Sequence, residues 1–277
     1  MKKQLLFLLF ALLALCASAA PNDVFSVGDI TYSVILDSYS GKPGIVSVKS
    51  LSAQGKAKTS LKLDIPGVVY YNGYKYKVGV IDRDAFKGQS NISVVQIRYN
   101  ITRIWQSAFE NCTSLTTVYM PSSLTNVGYR AFGGCTALRS VYYANATPSS
   151  TSVVPGSFPE NSGMTLYVSK AHPNSKENAR KVTAFDYFST IKKHEYACDF
   201  ILGEHGYFCV TKAPLSDGST RGEMSLVGVY ADDNFNSSWS GAYNDGIADF
   251  DVVEIADSAC LGNTGIKSVN FTGYSKL

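Results

Sequence analysis

Histidine is nearly missing from this chain: three of 277 residues, His172, His194 and His205, all in one short stretch. A His-based catalytic centre would have to be built from that stretch alone. An excess of one charge is missing too. Lys and Arg number 25 against 22 Asp and Glu, and charged residues are only 17%, so no basic stripe is available to neutralise a nucleic-acid backbone. The sequence contains no Gly-x-Ser-x-Gly, no phosphate-cradling glycine loop and no His-Glu-x-x-His. Those patterns would announce a nucleophile elbow, a nucleotide site or a catalytic zinc. No catalytic residue, cofactor or metal is therefore expected, and the chain reads as a non-enzyme. What it does have is apolar and aromatic material, with 18 Tyr and 14 Phe. That is too much for a disordered chain and enough for one large or two moderate domains.

The one long apolar run, from Leu5 to Leu15, follows Lys2 and Lys3 and leads to Ala17-Ser18-Ala19. A charged start, an apolar middle and small residues before a cut describe an export signal, with cleavage expected after Ala19. The run falls short of the ~20 residues that span a bilayer, so no transmembrane span is expected in the mature chain. Lipidation at Cys16 is a variant, opposed by Leu15 where a lipoprotein signal carries a small residue. Without residues 1–19 the chain holds 23 basic and 22 acidic residues and five cysteines, at 112, 135, 198, 209 and 260. Five is odd. One thiol stays unpaired or pairs between chains, even in a compartment that permits disulfides.

The middle of the chain repeats itself every 23 residues. Ile81, Ile104 and Val127 are in phase, as are Ala85, Ala108 and Ala131, and Phe86, Phe109 and Phe132. Gln89, Cys112 and Cys135 keep step, followed by Ile92, Leu115 and Leu138 and by Val95, Val118 and Val141. A unit this small cannot bury its own apolar face, but stacked copies turn each apolar position into a continuous column. The Leu-x-x-Val stretch predicts a short strand and the Ala-Phe stretch a helical or 3₁₀ turn on the opposite side. Ala is small where neighbouring turns approach closely, and Phe fills the space between layers. In each strand the residues between the apolar ones point outward. Val94, Thr117 and Ser140 form one outward column, and Gln96, Tyr119 and Tyr142 the next.

Ile104-x-x-x-Ala108-Phe109-x-x-Cys112-x-x-Leu115 and Val127-x-x-x-Ala131-Phe132-x-x-Cys135-x-x-Leu138 resemble the BspA-like leucine-rich repeats of bacterial surface proteins. The resemblance runs over nearly all of residues 24–277. It implies a β-rich leucine-rich-repeat solenoid of 23-residue repeats, with short strands, helical or 3₁₀ turns and β-hairpin head segments. It also implies that Cys112 and Cys135 are free, buried thiols. The first repeat departs from the pattern by carrying Gln89 at the Cys position.

Around the repeats the chain divides into an export signal (1–19), a β-rich head (20–80), three repeats (81–148), a closing cap (149–195), a second head (196–252) and the start of a second array (253–277). Asn72-Gly73 between alternating runs is a two-residue hairpin signal in the first head. Phe25, Gly28 and Tyr32 recur as Phe200, Gly203 and Tyr207, at one constant spacing. Ile255-x-x-x-Ala259-Cys260 and Ile266-x-x-Val269 restart the repeat pattern. Because Leu277 falls just inside that array, the sequence reads as truncated or as the front of a larger protein.

His194, Cys198, His205 and Cys209 make the one metal-like cluster, but their spacing matches no zinc module. A two-residue hairpin loop at Gly203-Glu204 would set Cys198 opposite Cys209, as a cross-strand disulfide or a plain thiol pair. A four-residue loop would misalign them. The function expected is exported, cell-surface binding of a protein ligand on a host or bacterial surface, that is, adhesion. The outward columns are the candidate face, since Tyr gives large contact area at small entropic cost. The alternative is a structural spacer that displays a further C-terminal domain, an enzyme or an anchor.

Overall fold

The computed structural model describes residues 20–38, 42–149, 152–160, 163–170, 173–194, 197–202, 206–212, 222–229, 242–244 and 249–255, and from Phe200 onward the backbone alone. The export signal, Cys16, His172, His205, Cys260 and the restarted repeat after Ile255 lie outside these residues. No helix among them is long and apolar enough to cross a membrane.

The first head opens with β1 (Val24–Val27) and β2 (Ile30–Leu36), antiparallel about Gly28-Asp29, with β3 (Gly44–Leu51) antiparallel to β2. Ser52 then caps a short helix, α1 (Ala53–Ala57), by accepting from the Gly55 N–H at 3.2 Å, the contact that makes serine a helix starter. After β4 (Leu61–Ile65) come β5 (Val68–Tyr71) and β6 (Tyr74–Ile81), a hairpin turning on Asn72 and Gly73 with φ of 49° and 80°. Both signs are positive, as the sequence signal requires.

From here the chain winds through β7 (Ile92–Ile97), β8 (Arg103–Ile104), β9 (Thr117–Met120), β10 (Asn126–Val127), β11 (Ser140–Tyr143) and β12 (Thr165–Ser169). A short helix, α2 (Ser175–Ala179), and a 3₁₀ turn at Thr183–Phe185 precede β13 (Thr190–His194). From β7 to β11 the strands fall alternately into two sheets. One is six-stranded and wholly parallel, in the order β13-β12-β11-β9-β7-β4. The other carries the head and runs β1-β2-β3-β6-β8-β10, with β5 also on β6. In it Ile81, Ile104 and Val127 pair in sequence, and Val127 bridges to Val153.

Between the sheets lies a file of rings. Phe86, Phe109, Phe132 and Phe158 stack face to face, with centroids 5.0, 5.1 and 5.3 Å apart. All are buried, with Ala108, Ala131, Leu115, Leu138, Val118 and Val141 packed around them. The turns are laddered as well: the N–H of Phe86 donates to Ala108 O, that of Phe109 to Ala131 O and that of Phe132 to Ser157 O, at 2.7–2.8 Å. Ile92, Val95 and Ala85 complete the same interior.

Two features were not anticipated. Asp84, Ser107 and Arg130 all have positive φ (57°, 58° and 53°), and Gly156 stands in the same place at 81°. A second set, Gly88, Asn111 and Gly134, does likewise. Each of the first three turns is thus made by two left-handed residues. At Gly134 a side chain is doubly excluded, because a Cβ would fall 2.1 Å from Asn111 Oδ1 in a conformation that Cβ-bearing residues adopt at a cost. The segment assigned to a closing cap also lengthens the ladder, since β12 and β13 add two parallel strands to it. The strand spacing is 23 from Val94 to Thr117 and to Ser140, then 25 to Thr165 and to Thr190.

The backbone beyond forms β14 (Asp199–Leu202), β15 (Gly206–Lys212), β16 (Gly222–Val229), β17 (Ala242–Asn244) and β18 (Asp249–Ile255), in the order β14-β15-β16-β18-β17. Pairing directions repeat those of the first head: antiparallel, antiparallel, parallel, antiparallel. The first hairpin differs. β14 and β15 close at Leu202↔Tyr207, leaving four residues between them, so the expected two-residue loop is corrected to the longer one. Cys209 consequently faces Phe200 rather than Cys198. This sheet touches the repeats through Asp199. Its buried carboxylate accepts from the Ser122 N–H at 2.6 Å and the Ser122 hydroxyl at 2.5 Å. Burial raises its pKa, and the Ser122 bonds oppose that rise.

Candidate functional site

The outer surface of the parallel sheet is built by the strand period of two, which sends alternate residues away from the phenylalanine file. Val94, Thr117 and Ser140 pair directly across β7, β9 and β11, and Gln96, Tyr119 and Tyr142 pair beside them. All six are half-buried. The tyrosines cover one another in part: Tyr119 and Tyr142 stack with centroids 4.5 Å apart and planes 15° from parallel.

The columns run further than the sequence reading took them. Ser140 pairs with Thr165 and Thr165 with Thr190, so hydroxyls continue from Thr117 to the sheet edge. Tyr142 pairs with Tyr167 and stacks on it at 4.4 Å, with planes 11° apart. His194 lies edge-on to Tyr142 and Tyr167, at 5.5 and 5.3 Å. Lys192 follows Tyr167 in register. At the opposite end Asp64 pairs with Gln96, and Arg98 donates through Nε to Asp64 Oδ1 at 2.8 Å. A strip of three tyrosines thus ends in a cation and a histidine on one side and an ion pair on the other. Tyr167 and His194 were missed because the spacing to β12 and β13 widens by two residues.

The opposite, turn-bearing side carries a different chemistry. The Glu110 carboxylate is buried and meets Lys87 Nζ at 2.9 Å and Arg130 Nη2 at 2.5 Å. Lys87, then Arg130 and Ser107, hold its pKa down at about 2, against the push of burial. Three successive turns are tied through one anion. Nearby, Arg103 sits 4.6 Å over the exposed Trp105 ring.

Cys112 and Cys135 are buried, reduced thiols. Each thiol donates to a carbonyl one turn back, Cys112 to Phe86 O and Cys135 to Phe109 O, both at 3.1 Å. The neighbouring Cys112 side chain and burial both raise the Cys135 pKa. Cys198 is disulfide-bonded, whereas the Cys209 side chain lies outside the described residues. Among those residues no three His, Cys, Asp or Glu side chains gather as a metal site would need.

Residues 75–195 match the model of the BspA type leucine-rich repeat region, in six copies. That stretch is a BspA-type leucine-rich repeat region. The match takes in the segment assigned to a closing cap. No curated protein matches the sequence. Similar solved structures include a leucine-rich repeat protein from Bacteroides ovatus, 24% identical over 61% of this chain and 40% of its own, with a TM-score of 0.42. Another, from Bacteroides capillosus, is 23% identical over 52% of this chain and 97% of its own, with a TM-score of 0.41. A leucine-rich cell surface protein from Faecalibacterium prausnitzii is 16% identical over 77% of this chain and 62% of its own, at 0.35. The chain thus spans 40% of the Bacteroides ovatus protein's length.

Proposed function

We propose that this chain is an exported surface protein whose repeats form a solenoid of 23-residue units and bind a protein ligand, without catalysing a reaction. The outer face of the parallel sheet is the binding face. The observation that carries this reading is the strip Tyr119, Tyr142 and Tyr167 flanked by Thr117, Ser140, Thr165 and Thr190. Rings that already support one another lose little freedom when a partner covers them, and their hydroxyl edges can pair with polar groups on that partner. The ligand class is a protein on a host or bacterial surface. We further assign the Cys198 bond to Cys209: each immediately precedes one member of the Asp199–Val210 pair.

The test is binding of the full chain, and of a Tyr119→Ala/Tyr142→Ala variant, to immobilised extracellular-matrix proteins and to whole bacterial cells. Truncating interface aromatics commonly costs about 2 kcal/mol, roughly a 30-fold loss of affinity. The variant should stay folded, but because the rings stack on one another it should lose about 1–3 kcal/mol of stability. Undiminished binding by a folded variant would move the site elsewhere and favour the spacer role.

A further inference from the structure

Tyr119, Tyr142 and Tyr167 lie in adjacent parallel strands, in direct register, with ring planes nearly parallel and centroids 4.4–4.5 Å apart. The strand spacing of ~4.8 Å holds the three backbones at this separation, so the rings start from one shared register set by the ladder below them. Their outer edges, which carry the hydroxyls and the ring carbons beside them, face away from the core. Reactive carbons of neighbouring phenols are therefore held together before any reaction starts, the arrangement that gives intramolecular steps their advantage over encounters between molecules.

From this geometry we infer that the tyrosine strip is a site of oxidative cross-linking, in which Tyr142 couples to Tyr119 or to Tyr167 to form dityrosine. The oxidant is a peroxide acting through a haem peroxidase. Each of two phenols loses one electron and its hydroxyl proton, giving two phenoxyl radicals. These join through a carbon–carbon bond between the positions beside their oxygens. The two ring hydrogens displaced there move to the oxygens and restore both phenols. One hydrogen peroxide takes up the two electrons and two protons and leaves as two waters. The protein loses two hydrogens and gains a covalent tie between adjacent repeats. Tyr142 is the obligatory partner, because it alone is stacked on both of the others. Tyr119 and Tyr167 are two strands apart. The inference does not depend on the strip binding a protein.

The experiment treats the dilute full-length chain with peroxidase and limiting hydrogen peroxide. It reads dityrosine fluorescence, intact mass, mobility on a denaturing gel and tryptic peptides. Coupling within the strip gives a monomer lighter by two hydrogens. Tyr119–Tyr142 coupling joins peptide 104–130 to peptide 140–170, and Tyr142–Tyr167 coupling lies within peptide 140–170. Coupling through the exposed Tyr70 and Tyr129 instead joins separate chains and rises with protein concentration. Tyr142→Phe keeps the ring and the stack but removes the phenol. It should abolish the intramolecular product, while Tyr119→Phe should leave only the product within peptide 140–170. An intramolecular product that survives Tyr142→Phe would overturn the inference, as would its absence from the wild type while chains are being joined through Tyr70 or Tyr129.

Discussion

Replacing Phe109 with Ala removes the ring that has an aromatic neighbour on both faces. Phe86 lies 5.0 Å to one side and Phe132 5.1 Å to the other, and Phe109 itself is fully buried. A buried Phe takes at least ~150 Å² from water, which at about 25 cal/mol per Å² is about 4 kcal/mol. Ala returns only a small part of that. Two face-to-face contacts add about 0.5–1.5 kcal/mol each, and the space they leave cannot close, because hydrogen-bond ladders in both sheets and the turns hold the layers apart. The net expectation is a loss of about 3–5 kcal/mol. Phe86→Ala should cost less, since Phe86 ends the file. Equilibrium denaturation of the two variants beside the wild type, followed by far-UV circular dichroism and tyrosine fluorescence, measures both. A loss below about 1 kcal/mol at Phe109, or a larger one at Phe86, would show that the file is not a continuous support.

Further expectations concern the ties that hold the layers together. Glu110 has a pKa lowered to about 2, so its contribution is complete above the ordinary carboxylate range near pH 4.5 and disappears as pH falls through 2. Glu110→Gln should therefore be less stable than wild type at pH 7 and equal to it near pH 2, as read from paired denaturation curves. Cys135→Ala deletes both a donor to Phe109 O and buried volume, and should cost about 1–2 kcal/mol. In the native protein both Cys112 and Cys135 should resist a thiol reagent until denaturant is added. Asp199→Ala leaves the Ser122 N–H without its acceptor. Hydrogen exchange should then quicken at Ser122 and along β14, while amides at β9 and β11 keep their protection.

What could be read in advance was whatever recurs in phase. Phe86, Phe109 and Phe132 were placed together because a stack forces identical positions into one column. The same reasoning set Tyr119 beside Tyr142. Positions where different residues serve one purpose stayed hidden. Asp84, Ser107, Arg130 and Gly156 share a left-handed conformation but no chemistry. Lys87, Glu110 and Arg130 meet only because a long side chain reaches back from the next turn. The two later strands were legible in principle: Val153-x-x-x-Ser157-Phe158 and Ala184-Phe185 keep the shape of the motif. They lack its Cys and Leu, and longer turns break the spacing. In the second head, a hairpin loop two residues longer was enough to move Cys209 out of direct register with Cys198, since loop length sets register.

The second sheet copies more than the strand order of the first. Ile255 pairs with Leu226 as Ile81 pairs with Val48, which puts it at the strand end from which Ile104, Val127 and Val153 are laid down one after another. A head of this kind acts as a seed crystal does. It presents one finished edge, and that edge dictates the direction and pitch of every layer added to it. Growth that starts at that edge has a polarity, and an error there is inherited by every layer above it. A substitution that shifts Ile81 by one residue would be expected to misplace turns as distant as Val153, whereas the same shift at Val153 would leave the earlier turns intact.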